Sequence, residues 1–325
     1  MRVIVKTILF ICVYIAQMNG QSTQQKDEVS KAKIELGHRL FYDADLSING
    51  TMSCATCHEQ KKAFTDGNTM HPGVLNDPAK RNVPGLANIG LFKNLTWANN
   101  HLSGLAEQSL TPIKGTNPVE MGMNGYENEI IKRLSQNECY QKLFLIAFNK
   151  GNDGINLDNV SLTLESFEKT LISKDSLYDQ NLKSKQALLS KDAQDGKELF
   201  FGFAKCNSCH TAPLFSDDDF HKIELQNQVS NNNIKENGLA DITKNEKDKN
   251  FFRTPSLRNA QLTSPYWHNG SVKTLLEAIQ KHDLEINQTL SIENINKIIV
   301  FIEALTDYSF INNPQYARPD KECKY

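Results

Sequence analysis

The chain has 325 residues, of which 39% are hydrophobic, and its formal net charge at pH 7 is −2. This length can bury the cores of two ordinary domains. Acidic and basic residues nearly balance, so there is no basic excess to attract nucleic acid, and we expect no nucleic-acid partner. After the N-terminal segment, no stretch is long and apolar enough to predict a transmembrane helix.

The N-terminus has the pattern of a secretory signal peptide. Arg2 and Lys6 accompany an apolar run over residues 8–16, and a polar exit follows. We predict that residues 1–20 are removed and that the mature protein lies in the periplasm. Cys12 lacks a small residue just before it, so a lipoprotein anchor is not predicted.

Residues 54–58 read Cys-Ala-Thr-Cys-His, which is the pattern that attaches c-type haem. Two thiols three residues apart can bond to the two vinyl groups of one haem, and the adjacent His then reaches the iron. Residues 206–210, Cys-Asn-Ser-Cys-His, repeat the pattern. The predicted attachment residues are Cys54, Cys57, Cys206 and Cys209, and the predicted proximal iron ligands are His58 and His210.

Three other interpretations of these motifs compete with haem. A thioredoxin-like redox pair would lie in a βαβ pattern, which surrounds neither motif. A zinc site needs four protein ligands, usually from two motifs at short range, whereas these motifs lie roughly 150 residues apart. Chance duplication is the third. Two copies in an exported chain favour haem.

The two halves of the chain resemble each other beyond the haem motifs. Each motif is preceded by Gly-x-x-Leu-Phe and followed by Pro-x-Leu-x-Asn. These segments are residues 37–41, 84–88, 196–200 and 255–259. Phe64 and Phe215 also follow their motifs closely. The repeat predicts two homologous haem domains, over residues 28–185 and 190–325.

The remaining patterns are almost wholly helical. Apolar residues recur at helical spacing over residues 160–171 and 292–302, and no clean strand alternation occurs. Asp158 and Ser291 stand where N-caps are expected. Residues 226–250 are rich in Asn, Lys and Asp, which predicts a solvated loop without chemistry. We therefore predict an all-α fold with two cytochrome c-like haem domains and long connecting loops.

Two cysteines lie outside the motifs and the signal peptide. Cys139 and Cys323 could form a disulfide that ties the C-terminal tail to the first domain, since disulfides are permitted outside the cytoplasm. Two separate thiols are the equally open alternative.

The motifs and their order resemble the bacterial di-haem cytochrome c peroxidase family, which includes the MauG-like protein-oxidising enzymes. Several further strings carry the resemblance, which runs from about residue 35 to 305. They are residues 64–67 (Phe-Thr-Asp-Gly), 81–84 (Arg-Asn-Val-Pro), 107–108, 118–122 (Pro-Val-Glu-Met-Gly), 252–259 and 265–270. Residues 94–99 look closer to a subgroup that includes the di-haem enzyme associated with methanobactin gene clusters.

The resemblance implies that the first haem reacts with hydrogen peroxide. Glu120 would act there as the distal acid and base, with Gln108 close by, because a carboxylate can take and return the peroxide proton. A His in the loop after the first motif closes the resting haem in ordinary di-haem peroxidases. His71 lies in that loop, although the loop is shorter than expected for the family. His38 and His101 match no family role and are expected at the surface.

The second haem would transfer electrons, and its sixth ligand can be argued by elimination. Ordinary members use Met, which raises the potential, but this chain has no Met after Met123. Alignment from residues 265–270 places the ligand position at His282, where MauG-like enzymes carry Tyr. Imidazole is a good iron ligand, and a bis-His haem would have a low potential. His221 and His268 are the reserves.

Two further features are implied by the resemblance. Trp97 matches the tryptophan that lies between the two haems, where an indole can relay an electron. The family also binds Ca²⁺ between its domains: Asn82 matches the side-chain ligand, and carbonyls near Arg253 and Pro255 match the others. Calcium accepts neutral oxygen ligands. The implied cofactors are thus two covalently bound haem c groups and one Ca²⁺.

Two activities follow from the resemblance. A cytochrome c peroxidase would reduce hydrogen peroxide with electrons from a small cytochrome c or a cupredoxin. A MauG-like enzyme would instead use peroxide to oxidise an aromatic residue of a partner protein. A non-catalytic di-haem electron-transfer cytochrome is the alternative from another class. The resemblance also allows a homodimer.

Overall fold

The computed structural model describes residues 25–222, 236–286 and 290–323, with side chains from 283 to 286 outside the description. The predicted signal peptide lies outside these residues. The described chain is mostly helical, as predicted. None of its helices is long and apolar enough to cross a membrane.

The helices follow one another with long loops between them. Helices α1 to α6 occupy residues 25–41, Cys54–Cys57, Leu105–Lys114, Glu127–Ser135, Glu138–Phe148 and Leu157–Glu168. Helices α7 to α12 occupy Leu177–Lys183, Lys191–Phe201, Ala240–Thr243, Leu275–Ile286, Ile292–Glu303 and Tyr308–Ile311. Short 3-10 helices occupy Ala44–Leu46, Gln60–Lys62, Ile89–Leu91, Asn152–Gly154, Cys206–Ser208, Glu246–Asp248, Ala260–Leu262 and Pro314–Tyr316. Strands β1 (Phe220–Lys222) and β2 (Phe251–Arg253) pair antiparallel, with His221 opposite Phe252.

Polar side chains fix the starts of two core helices. Ser291 caps α11, as predicted, by accepting a hydrogen bond from a backbone N–H in the first turn. The predicted cap Asp158 is wrong, because the side chain of Asn156 accepts the N–H of Asn159 at 2.9 Å. An Asn caps a helix as well as an Asp does. Asp158 therefore lies inside the first turn, where its charge favours the helix dipole.

The glycine of each Gly-x-x-Leu-Phe pattern lies at a close helix crossing. A Cβ added to Gly37 of α1 would overlap the carbonyl oxygen of Thr163 on α6. A Cβ added to Gly196 of α8 would overlap the carbonyl oxygen of Lys297 on α11 in the same way. The repeated sequence pattern therefore encodes a repeated helix pair.

The asparagines that end the two Pro-x-Leu-x-Asn patterns also have equivalent structures. Asn88 and Asn259 both have φ of 62°, a left-handed conformation that Asn tolerates better than most residues. The N–H of Asn88 donates to Leu171 O at 2.7 Å, and that of Asn259 donates to Leu305 O at 3.3 Å. Each asparagine thus joins its loop to the chain that follows the last core helix of its half.

Two large apolar clusters form the cores of the described chain. The first surrounds Phe64 and draws on α1 and α3 to α6, and the second surrounds Phe215 and draws on α8 and α11. No single boundary in the sequence separates the residues of one cluster from those of the other. Tyr178 of α7 packs in the second cluster, whereas Phe310 and Tyr316 near the C-terminus pack in the first. The segment that follows each half therefore crosses to the other half.

The C-terminal tail also buries His38, and the prediction of a surface histidine was wrong there. His38 Nε2 lies 2.7 Å from Ala317 O, and its ring stacks on Phe167 at a centroid distance of 4.7 Å. The segment that covers it comes 279 positions later in the chain, so local sequence could not show the burial. His101 is exposed, as expected.

Cys139 and Cys323 form a disulfide, which closes the alternative of two separate thiols. Their Cα atoms are 5.7 Å apart, and 184 positions separate them. The bond ties the C-terminal tail to α5. In the chain-entropy account, a loop of this length adds up to roughly 5 kcal/mol to stability.

The predicted loop over residues 226–250 can be compared only in part, because residues 223–235 lie outside the description. From residue 236 onward the segment is folded, so the prediction of a plain solvated loop was wrong there. Leu239 is buried, and Glu236 pairs with Arg81 at 2.7 Å. This ion pair links the segment to the first half of the chain.

We predict that Gly37→Ala destabilises the protein by about 1–3 kcal/mol, because the added methyl group forces α1 and α6 apart. The matched control is Gly104→Ala, since a Cβ there meets open space on an extended backbone and should change stability by less than about 1 kcal/mol. The midpoint of urea unfolding of the holoprotein measures both. Equal midpoints for the two variants would contradict the close crossing.

Candidate haem sites

Each haem motif folds into a single helical turn. The N–H of His58 donates to Cys54 O, and the N–H of His210 donates to Cys206 O, both at 2.9 Å. The turn keeps the two thiols and the imidazole of one motif together, as covalent haem attachment requires.

Both histidines are oriented by the same kind of hydrogen bond. His58 Nδ1 lies 2.7 Å from Phe64 O, and His210 Nδ1 lies 3.2 Å from Phe215 O. A carbonyl only accepts, so Nδ1 carries the proton and Nε2 is left for a metal. Burial lowers the pKa of His58 and brings that of His210 to about 4. Both rings are therefore neutral at pH 7, the form that binds iron.

The thiols of the motifs are poor candidates for thiolate chemistry. Burial raises the pKa of Cys57 to about 12 and that of Cys206 to about 11. A cysteine that reacts as a free thiolate needs a lowered pKa. The neutral sulfurs suit thioether bonds to haem and disfavour the dithiol redox interpretation.

The second motif opens into a cavity of about 400 Å³, named the second cavity after the motif that lines it. His210 and His282 both line it, with their ring centroids 6.4 Å apart. A metal–imidazole bond is about 2 Å long, so two imidazoles on opposite sides of one metal have nitrogens about 4 Å apart and ring centres farther apart. The observed spacing therefore has room for one iron between the rings. His282 Nδ1 lies 2.8 Å from Ala278 O, which leaves Nε2 for that iron.

The two reserve histidines have other partners. His221 Nε2 lies 2.6 Å from a carboxylate oxygen of Asp217. His268 stacks on Phe252 at 3.6 Å between centroids, and burial holds its pKa at about 3. Both line the second cavity. Neither faces His210 as His282 does, so His282 stays our predicted ligand.

The buried Arg253 gives a further test of whether the second cavity fits a haem. Its guanidinium is buried against the second cavity, and burial lowers its pKa to about 10. No carboxylate of the described residues lies within 4 Å of it. Its Nε–H donates to Thr96 O at 3.3 Å. The negative charge of Asp218 acts on the guanidinium from farther away. A buried cation without a direct ion pair is costly, and the carboxylates of a haem have the charge to form one.

Glu120 and His71 approach the first motif together. The N–H of Val74 donates to Glu120 O at 2.7 Å, which joins the His71 loop to the Glu120 segment. Burial raises the pKa of Glu120, and the charge of His71 acts against that rise. After burial, the charge of Glu120 is the next largest cause of the raised pKa of Cys57. The structure thus brings a carboxylate and an imidazole within electrostatic range of this motif.

Gln108 lies half-buried on α3, the helix that precedes the segment containing Glu120. The chain after α3 folds back on that helix, because the N–H of Met121 donates to Pro112 O at 2.9 Å and the N–H of Met123 donates to Ile113 O at 2.9 Å. Helix α3 therefore supports the segment of Glu120.

Trp97 lies where the two halves meet. It is buried, lines the second cavity, and donates its Nε1–H to Asn82 O at 2.8 Å. The calcium candidates Asn82, Arg253 and Pro255 line the same cavity. The side-chain amide of Asn82 donates to Asn68 O at 2.8 Å.

Sequence reasoning missed Glu168. This residue of α6 is buried, its pKa is raised to about 8 by burial, and its Oε2 has no partner among the described residues. After burial, its charge is the next largest cause of the raised pKa of Cys54. The repeat contained a signal: since Leu171 corresponds to Leu305, Glu168 corresponds to the apolar Ile302.

Two c-type haem motifs, each with a carbonyl-oriented histidine in a mostly helical chain, define a di-haem c-type protein. Residues 31–187 match the profile of the family described as di-haem cytochrome c peroxidase. Cytochrome c551 peroxidase of Nitrosomonas europaea is 30% identical over 84% of this chain and 79% of its own. The methylamine utilization protein MauG of Methylophilus methylotrophus is 30% identical over 84% and 82%.

The crystal structure of a MauG-like protein associated with microbial copper homeostasis superimposes with a TM-score of 0.83. It is 33% identical and covers 89% of this chain and 93% of its own. The diheme peroxidase BthA of Burkholderia thailandensis, at 21% identity and a TM-score of 0.71, shows the same fold. The chain belongs to the di-haem cytochrome c peroxidase family, whose members include MauG. It is therefore a di-haem oxidoreductase with two haem c groups.

We predict that His282→Met keeps the second haem six-coordinate but raises its reduction potential, because thioether ligation stabilises ferrous haem. His282→Ala should instead give a high-spin second haem that binds added imidazole. Electron paramagnetic resonance and redox titration measure these changes. The exposed control His101→Ala should change neither. An unaltered second-haem spectrum in His282→Ala would exclude His282 as the ligand.

Proposed function

We propose that the protein reduces hydrogen peroxide to two waters at the first haem, with two electrons delivered through the second. One observation supports this assignment most directly. The two motifs fold alike, but His210 is faced by the imidazole of His282, whereas the first motif is approached by the carboxylate of Glu120. An iron closed by two imidazoles suits electron transfer. A site with a nearby proton carrier suits peroxide chemistry.

Haem iron supplies the redox chemistry that cleaves the oxygen–oxygen bond. Glu120, when ionised, would take the proton from the near oxygen of peroxide and return it to the departing oxygen. Burial raises the pKa of Glu120, which makes its carboxylate a better proton acceptor than an exposed one. Gln108 would hold the peroxide in place through its amide.

The electron route would run from the second haem past Trp97. The indole lines the second cavity, and its Nε1–H holds the backbone of Asn82. The same residue also contacts the second half of the chain, because the N–H of Asn82 donates to His268 O at 2.7 Å. Gly270 packs against Thr69, near His71. Movement at the second haem could therefore reach the His71 loop, which supports His71 as a gating ligand of the first haem.

A MauG-like activity is the second candidate. It is favoured by the 33% identity to a MauG-like protein and by the absence of a Met beside the second motif. In this case, a partner protein with an oxidisable aromatic residue replaces the small cytochrome c or cupredoxin as the electron source. A non-catalytic cytochrome is set aside, because the family consists of enzymes.

The remaining assignments rest on the family resemblance. Calcium would lie between the halves on carbonyls near Arg253 and Pro255 and on the side chain of Asn82. We place the mature protein in the periplasm, because covalent haem attachment and the disulfide both suit that compartment. A homodimer stays a prediction.

We predict that Glu120→Gln slows the reaction with peroxide by roughly 10²–10⁴-fold while both haem spectra stay unchanged. Because the pKa of Glu120 is raised, the ionised base is present above that pKa and is lost as pH falls through it. The wild-type rate should therefore fall on acidification. The residual rate of the variant should not show this fall. Stopped-flow absorbance at several pH values measures both.

Glu107→Gln is the matched control, since Glu107 lies exposed on α3 and accepts hydrogen bonds from the N–H and the hydroxyl of the nearby Ser103. It should keep the wild-type rate. A Glu120→Gln protein with wild-type peroxide kinetics would remove Glu120 from the proposal. Loss of peroxide reactivity in Glu107→Gln as well would show that the whole α3 unit had been disturbed.

A further inference from the structure

The two segments that leave the repeats cross each other at Asp307. Its Oδ2 accepts the N–H groups of Lys174 and Asp175, both at 2.9 Å, and its Oδ1 accepts the N–H of Phe310 at 3.0 Å. Burial pushes the pKa of Asp307 upward, but these donors and the Ser309 hydroxyl outweigh it and hold the pKa below its usual range. One buried carboxylate thus binds both segments where they exchange sides.

Beyond this crossing, the C-terminal tail packs on the first haem motif. The amide of Gln60, two residues after the proximal His58, donates to Asn313 O at 2.7 Å. The hydroxyl of Tyr42 donates to Tyr316 O at 2.6 Å. The disulfide to α5 holds the far end of the tail. The tail is thus fixed at the crossing, along its length and at its end.

The tail also clamps the residue that orients His58. Phe64 has φ of 64°, a left-handed conformation that is costly for a bulky side chain. Its fully buried ring lies 5.6 Å from Phe310 and 6.5 Å from Tyr316 between centroids. This packing holds the strained backbone, whose carbonyl oxygen receives the Nδ1–H of His58.

The second motif has the reciprocal arrangement. Phe215 has φ of 53°, and its carbonyl oxygen lies 3.2 Å from His210 Nδ1. Its ring lies 5.4 Å from Tyr178, which belongs to α7, the segment that leaves the first repeat. The N–H of Tyr178 donates to Ala304 O at 3.0 Å. Each proximal histidine is therefore held through an aromatic contact from the other repeat.

From these contacts we infer that the crossed segments are positioning elements, so that each half of the chain sets the reduction potential of the haem in the other half. The inference rests on the proposed haem ligands but not on peroxide turnover. A hydrogen bond from Nδ1–H to a carbonyl makes the imidazole a stronger electron donor to the metal. Weakening it by loosening Phe64 or Phe215 should raise the potential of that haem alone.

The test uses one substitution in each crossed segment of the holoprotein. Phe310→Leu, in the C-terminal half, should raise the potential of the first haem and leave the second unchanged. Tyr178→Leu, in the N-terminal half, should do the reverse. Optical redox titration gives both potentials, and resonance Raman spectra of the ferrous haems report the iron–histidine bond. Tyr126→Leu is the exposed control and should change neither potential.

A milder variant keeps the test decisive if a core substitution prevents folding. Cys139→Ser with Cys323→Ser leaves every aromatic contact intact but releases the end of the tail. It should increase hydrogen–deuterium exchange over residues 308–323 and raise only the first-haem potential, by less than Phe310→Leu does. Faster exchange with an unchanged first-haem potential would overturn the positioning role.

Two other outcomes would also overturn the inference. One is a shift confined to the haem of the substituted half. The other is an equal shift of both potentials, which would indicate general loosening of the fold. Failure of the proposed function has a separate sign, which is a wild-type protein with two intact haems that does not react with peroxide. Both reduction potentials can still be measured on such a protein.

Discussion

Both candidate haem sites depend on one hydrogen bond, from the Nδ1–H of a histidine to the carbonyl of a left-handed phenylalanine. The bond fixes the tautomer of the imidazole, and its acceptor belongs to Phe64 or Phe215, which both have a backbone conformation that most side chains avoid. Aromatic packing supplies that restraint in both halves. The cores around Phe64 and Phe215 are therefore part of the sites themselves and do more than support them.

The difference between the sites comes from what faces the histidine. In the second cavity the facing group is a second imidazole, and the surrounding wall contains a buried arginine with no carboxylate partner within 4 Å among the described residues. Around the first motif the neighbours can carry a proton: Glu120, His71 and Glu168, whose Oε2 has no hydrogen-bond partner among the described residues. In the proposed function, one duplicated scaffold therefore holds one site for electron transfer and one for peroxide.

Local patterns in the sequence predicted much of this arrangement. The repeated Gly-x-x-Leu-Phe pattern marked real helix crossings, and the alignment that selected His282 placed it opposite His210. Two of the failures share one physical cause, which is contact between residues far apart in the chain. His38 is buried by a segment 279 positions away, and Glu236 of the predicted loop pairs with Arg81 of the first half. Asp158 failed differently, because two adjacent polar residues could both cap the helix and geometry chose Asn156.

The central claim is that the first haem reacts with peroxide while the second supplies electrons. Rapid mixing of half-reduced holoprotein with a slight excess of peroxide, followed from the Soret band to the near infrared, tests it most directly. The account predicts a prompt spectral change of the first haem together with oxidation of the second. The same experiment on fully oxidised protein separates the two candidate activities, since prompt reaction there favours MauG-like chemistry and excludes His71 as a resting ligand. Half-reduced protein that ignores peroxide would contradict the account.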